Sequence, residues 1–555
     1  MNKNKILSII SALIFGTTFT SCTDWLDVKP EGEIVLDDFW QNKSQVEGML
    51  ATCYKSFTSK DCSIRMLLWG ELRGDNVVEG QSVNGEVKKM LEVDIDPENW
   101  VCDYASMYTV INYCNTFIAN APSVPAIDPN FTVGECNSMI GEIRALRALA
   151  YFYLVRTYKE VLYRDEPSIS DNQDYNKAKS SEDYVLDKII ADLLAAEPVV
   201  RTQFESTRHT KGRITKNGVR AILADVYLWR SQYNECITKC NQILADTTIT
   251  LVKDFNGNLY SNIFGSGNSK ESIFELQYNS DINWNEATKG YYGTAGNMDA
   301  QQGELFCPQY MLTPGTSTSP FAYIINAKKK ESEEDQRKKY SVIEDEQSGT
   351  HLIFKYAGND WTEGKTSNYY SYRSSTSNWI VYRLPDIMLM KAEALCEIAR
   401  TYESTNDDSE NTDEPAVNPN QDKIDAFMEQ ALELVNKTYV RANPKADELE
   451  IEDYPAISNM SSLVLRERHR ELIFEGKRWF DLMRLARRGK DGEGDPMELV
   501  TFVLPKLTKD EAMQKSKMSV MNALYLPIPQ KEMNVNKLMV QNPFYKSSGG
   551  GSTIN

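Results

Sequence analysis

Histidine is scarce in this chain: only His209, His351 and His469 occur in 555 residues. No H-E-x-x-H helix or G-x-S-x-G elbow accompanies them, so zinc-protease and serine-hydrolase chemistry have no local support. Ten cysteines occur without one C-x-x-C pair, and Cys236 and Cys240 stand a helical turn apart with no histidine beside them. Zinc spacing is therefore absent, and a disulfide framework would be unusual for a chain this long. Positive charge is also in deficit: 61 Lys and Arg face 79 Asp and Glu, leaving a formal charge of -18 at pH 7. Such a chain repels nucleic acid and offers no basic stripe to a phosphate backbone. No EF-hand pattern is present, and nothing calls for a metal or a cofactor. Gly358 to Thr366 imitates a phosphate-binding loop, but it holds five residues between its glycines where four are needed. Asp360 and Glu363 there would oppose a phosphate.

What is present starts with a leader. Lys3 and Lys5 precede an apolar run from Ile6 to Phe15, then small and polar residues up to Cys22. The run is too short to stay in a bilayer as a helix and reads as a secretory signal over residues 1–21. The small residues before Cys22 resemble a bacterial lipobox, in which that cysteine carries the lipid. No later run approaches membrane-spanning length. The body, residues 22–555, is read as one domain tethered by its N-terminus.

Hydrophobic residues make up 41% of the chain, and Tyr (29) and Trp (9) are abundant. Apolar positions recur at helical spacing over about 136–158, 182–196, 215–245, 380–400, 421–440 and 461–488. Strand-like alternation is confined to short pieces such as Ser272–Tyr278 and Leu352–Tyr356. The fold class is thus mostly α with minor β. Within 215–245, Leu223, Ala224, Tyr227, Tyr233, Cys236 and Leu244 fall where a tetratricopeptide helix pair sets its large and small residues. Looser echoes occur at Ala145, Ala148, Tyr151 and Tyr158, and at Ala392, Leu395, Ala426, Ala431 and Leu432. A helical-hairpin scaffold with long irregular segments, about 60–110 and 246–380, follows. An acidic polar stretch, Glu403–Pro415, reads as an exposed loop.

From Arg466 to Arg484 the chain reads RERHRELIFEGKRWFDLMR. Periodicity predicts one helix here, with Leu465, Leu472, Trp479 and Met483 on its buried stripe, His469 packed among them, and Glu467–Arg470 and Glu475–Arg478 paired at i,i+3. This stretch resembles the signature helix of the SusD/RagB-like family. Four others match that family in order: Cys22 to Asp27, Arg144 to Tyr158, Tyr382 to Ala394, and Leu526–Gln530 through Gln541–Pro543. Lys537 and Phe544 depart from the proline and glycine often found there. The resemblance implies a tetratricopeptide-like, non-catalytic lipoprotein of the outer membrane, exposed at the cell surface. It would bind oligosaccharides and act as a lid on a SusC-like TonB-dependent transporter, although some relatives are thought to handle peptides.

A sugar ring offers C–H groups on one face and hydroxyls at its rim, so its binder combines an aromatic platform with a few polar groups. Two irregular segments supply candidates: Asp75, Asn76 and Trp100 beside Arg73, and Trp284, Tyr291 and Tyr292 after Asn279–Asn283. A third tract, Trp361, Tyr369, Tyr370 and Tyr372, reads more as transporter contact or loop packing. Two other function classes stay open at this point: a scaffold that binds only protein, and a surface glycosidase with a carboxylate pair that nothing local marks.

Overall fold

The computed structural model describes residues 39–546 except 170–172, 254–256, 280, 282, 294–302, 313–319, 322–323, 327–328, 331–334, 345–348, 357, 359–375, 405–418, 489–493 and 508–509. The leader, Cys22, the tract from Trp361 to Tyr372 and most of the acidic loop lie outside the described residues, as does most of the phosphate-loop mimic. Among the described residues no helix is long and apolar enough to cross a membrane.

Helices dominate, and local signals start them. Helix α1 (Lys43–Phe57) opens on a capping box in which Asn42 accepts from the Gln45 backbone and Gln45 reaches back. Helix α2 (Lys60–Glu71) is capped by Ser59, and α3 (Ala105–Asn120) packs on α1. A second capping box, Thr132 with Glu135, starts the 26-residue α4 (Val133–Tyr158), against which α5 (Glu182–Ala196) packs. The expected hairpin is α6 (Lys216–Trp229) and α7 (Tyr233–Leu244), joined by three residues of which Ser231 takes a left-handed φ of 60°. Ala224 and Cys236 are fully buried, as close helix approach requires. A further pair, α8 (Leu384–Ser404) and α9 (Gln421–Ala442), continues the stack, because α7 packs on α8 and α8 on α10 (Ile457–Leu472). The nine described cysteines, Cys53 to Cys396, are buried free thiols.

Three small antiparallel sheets complete the frame among the described residues. One orders Val78–Glu79, Leu305–Phe306, His351–Ile353 and Val342–Glu344 side by side. A second pairs Ile324–Asn326 with Lys329–Lys330, and the third pairs Ser272–Leu276 with Trp379–Arg383. The helical window predicted from residue 380 thus begins as a strand and turns helical at Leu384. The first four residues of Trp-Ile-Val-Tyr-Arg are β-branched or aromatic, and all five are buried, which favours a strand.

The single helix predicted across Arg466–Arg484 is broken. Helix α10 ends at Leu472 and α11 (Arg478–Arg488) begins six residues later, with Phe474 at φ 62° and Gly476 at φ 69° between them. A Cβ on Gly70 of α2 would lie 1.9 Å from the Gly476 carbonyl oxygen, so α2 touches this turn backbone to backbone. Glu467 and Arg470 do pair, at 2.9 Å. Glu475 instead meets Lys355 and Arg383, both at 2.6 Å, while Arg478 turns to Asp75. The stretch is buried on nearly all sides, not on one stripe.

Candidate ligand-binding site

Helix α2 leads into the turn Arg73–Asn76, which runs inward. Asp75 is bound bidentately by Arg478 at 2.6 and 2.7 Å and is 2% exposed. Burial alone would raise its carboxyl, but Arg478 and then His469 outweigh that and hold it down to about 2. Asn76, fully buried, donates to Glu71 at 2.8 Å and meets the His469 ring nitrogen. Burial, then Arg478, lowers His469 to about 3, so its imidazole is neutral and structural, as its place on the stripe predicts. Asp75 and Asn76 are therefore corrected from ligand contacts to core groups, since an external sugar cannot reach them.

Tyr291 and Tyr292 are corrected for the same reason. Residues Glu286–Tyr291 form a one-and-a-half-turn helix packed on α2. Tyr292 donates to the Phe474 carbonyl at 3.1 Å and packs edge-on against the Phe474 ring. Tyr291 is 5% exposed, so its ring is no open platform. Asn285 caps this helix and donates to the Ser377 carbonyl.

Two of the named aromatics do reach the surface. Trp284 is 45% exposed, just before that short helix, with the Lys289 ammonium 4.6 Å from its ring centre. Its neighbour Asn283 donates to the Thr58 hydroxyl at 3.0 Å, which fixes the segment against the end of α1. Trp100 is half-buried in a 3₁₀ turn and donates to Asn84 at 3.2 Å. Arg65 of α2 holds that turn: its guanidinium lies 5.1 Å from the Trp100 ring centre and donates to the Trp100 and Asp103 carbonyls at 3.0 and 2.9 Å.

Arg65 and Thr58 are the key to the geometry, because both adjoin one groove. A cavity of about 490 Å³ runs between α1, the start of α2 and α3. Lys55 and Ser56 come from α1, Ser59, Asp61 and Arg65 from α2 and its cap, and Asp103, Ser106, Thr109 and Tyr113 from α3 and its approach. The Trp100 ring packs on Arg65, which lines the groove, and Asn283, next to Trp284, donates to Thr58, the residue before the lining Ser59. The groove offers hydroxyls, two cations and two carboxylates, so it carries no net charge. Tyr113 and Arg65 were not singled out from the sequence. Tyr113 falls off the buried face of α3, made by Met107, Val110, Ile111, Cys114 and Phe117, and is 36% exposed. That off-stripe position was the available signal.

The described residues thus combine a helical-hairpin scaffold with a polar, charge-balanced groove between α1, α2 and α3. Two family models match the chain. The model described as "SusD family" covers residues 308–545, and one described as "Starch-binding associating with outer membrane" covers residues 24–228. The chain belongs to the SusD family. It is 25% identical over 522 residues to SusD-like protein P38 of Formosa agariphila, covering 87% of this chain and 92% of that one. It is 27% identical over 289 residues to a SusD-like protein of Bacteroides ovatus, half of each chain. Among solved structures, a SusD superfamily protein of Bacteroides vulgatus superposes with a TM-score of 0.69 at 19% identity, covering 91% of this chain and all of that one. A SusD homolog of Bacteroides thetaiotaomicron gives 0.65 at 21% identity, over 92% and 100%. These two likenesses establish the fold.

Proposed function

We propose that this chain is a non-catalytic, surface-exposed lipoprotein of the outer membrane. It captures uncharged oligosaccharides in the groove beside Trp100 and Trp284 and passes them to a SusC-like TonB-dependent transporter. The observation that carries this is the pairing of two solvent-reaching tryptophans with a hydroxyl-rich, charge-balanced groove on a chain of -18 net charge. Tryptophan stacks on the C–H face of a sugar, and the groove hydroxyls and Arg65 meet its rim. A charge-balanced groove makes binding insensitive to salt. Family membership supports the reading, because one matching model is described by starch binding and outer-membrane association.

The test begins with a glycan array to find the bound oligosaccharide, run with a hydrolysis assay on the same sugars. Binding without turnover is expected; turnover would make the chain a glycosidase, and no binding at all would leave a protein-binding scaffold. With the hit in hand, Trp284→Ala is expected to weaken binding at least fivefold by calorimetry, about 1 kcal/mol. Its melting temperature should barely move, because loss of a side chain 45% exposed leaves no cavity. Unchanged affinity would remove Trp284 from the site.

The anchor is tested separately. Cys22→Ala is expected to shift the protein from the membrane pellet to the soluble fraction, since multiple acyl chains, each gaining about 0.8 kcal/mol per buried CH₂, hold it there. Continued sedimentation with membranes in cells lacking the transporter would refute lipid attachment at Cys22.

A further inference from the structure

A lysine is seldom buried unless a carboxylate pairs with it. Lys506 is such an exception. It closes the 3₁₀ turn Leu504–Lys506, which follows the helix Pro496–Val503. It is 7% exposed, and its Nζ donates to the Leu72 and Gly74 carbonyls in the chain leaving α2. Among the described residues these carbonyls are its only hydrogen-bond partners, and no salt bridge reaches it. Asp75, the next residue of that turn, is committed to Arg478. A protonated lysine has three N–H groups to place, and a neutral amine has two. Two acceptors therefore match the neutral form, whose lone pair is left over. Burial lowers this group to about 7; Asp75 and Glu71 oppose that fall, and Arg73 adds to it.

The same residue lines a cavity of about 300 Å³ that lies apart from the groove. Leu91, Pro308, Tyr310 and Pro505 give it apolar walls, and Glu79 and Glu92 add carboxylates. Tyr310 is anchored by donation to the Asp75 carbonyl at 2.8 Å. A neutral lysine beside an apolar cavity has the setting in which lysines form Schiff bases. We infer that Lys506 is a covalent modification site, a nucleophilic amine that condenses with a small uncharged aldehyde seated in this cavity. The Nζ lone pair forms a C–N bond to the carbonyl carbon as the carbonyl π pair moves to oxygen. The two amine protons then leave with that oxygen as water, and a C=N imine remains, so neither oxidant nor reductant is consumed. The walls favour an aromatic or aliphatic aldehyde, and the carboxylates of Glu79 and Glu92 disfavour an anionic one. The inference goes beyond the groove reading and uses none of its residues.

Reductive trapping on the intact mature protein tests it. Limiting benzaldehyde is added with cyanoborohydride, which delivers hydride to the imine carbon and fixes the adduct as a secondary amine; peptide mass spectrometry then maps it. At pH 7 Lys506 should be labelled at least about tenfold faster than the median exposed lysine, whose pKa of about 10.4 keeps it protonated. Its labelling should rise as pH climbs through about 7 and then level off, while that of exposed lysines keeps rising. The anionic analogue 4-formylbenzoate should lose most of the preference for Lys506. Val78→Phe, on a half-buried strand at the cavity wall, fills the space and should cut Lys506 labelling severalfold with an unchanged melting temperature. If Val78→Phe does not fold, the comparison of the two aldehydes decides. Labelling of Lys506 no faster than that of exposed lysines, labelling undiminished in folded Val78→Phe, or equal preference with both aldehydes overturns the proposal.

Discussion

Glu471→Ala is expected to destabilise the protein by about 3–5 kcal/mol, a large part of the roughly 5–15 kcal/mol that holds a typical fold together. Glu471 lies at the centre of a buried ionic cluster. Arg337, Lys355, Arg383, Arg441 and Arg470 face Glu271, Asp335, Glu467, Glu471 and Glu475, five cations against five anions, all 9% exposed or less. Its carboxylate meets Arg383 and Arg441 at 2.6 Å and Arg337 at 2.9 Å. Burial alone would raise this carboxyl, but Arg441, Arg383 and Arg337 outweigh it and hold Glu471 well below the usual carboxylate range. Alanine would leave three guanidiniums sharing too few anions away from water. The cost comes from that stranded charge, because exchanging a whole buried ion pair for apolar residues is often near neutral. Urea unfolding of the two proteins measures the difference. A midpoint within error of wild type would mean that water already screens the cluster.

Trp479→Ala should cost a similar amount, about 3–5 kcal/mol, through a different cause. The side chain is 1% exposed, and the Arg73 guanidinium lies 4.3 Å from its ring centre. Truncation therefore opens a cavity between α2 and α11 and removes the cation–π partner of a buried arginine. The indole N–H has no hydrogen-bond partner among the described residues. Trp479→Phe consequently sacrifices ring area but no hydrogen bond, and it should recover more than half of the loss. Thermal melts of both variants, with glycan binding measured beside them, separate the possibilities. A full melting temperature with lost binding in Trp479→Ala would move this helix from scaffold to site, and equal losses in the two variants would mean that the N–H matters after all.

The sequence by itself determined the helical scaffold, because amphipathic windows of 15 residues or more repeat the 3.6-residue period often enough to be read without partners. It also carried the family resemblance through the Arg466–Arg484 stretch and marked His469 and Trp479 as interior. Tertiary structure decided which aromatics face water. Trp284 and Tyr292 lie eight positions apart around a helix of six residues, too short to show a face, and only the docking of that helix on α2 buries one and exposes the other. It decided the fate of Asp75 and Asn76 too: a turn signal says nothing of direction, and their partners Arg478 and His469 lie about 400 positions away. The break at Ile473–Lys477 has the same origin. Local pattern favoured one helix, but Glu475 reaches Lys355 and Arg383, and Gly476 meets Gly70, only if the chain turns. Period and composition are local quantities. Burial and charge pairing are settled by contacts far apart in the chain, which no window of sequence contains.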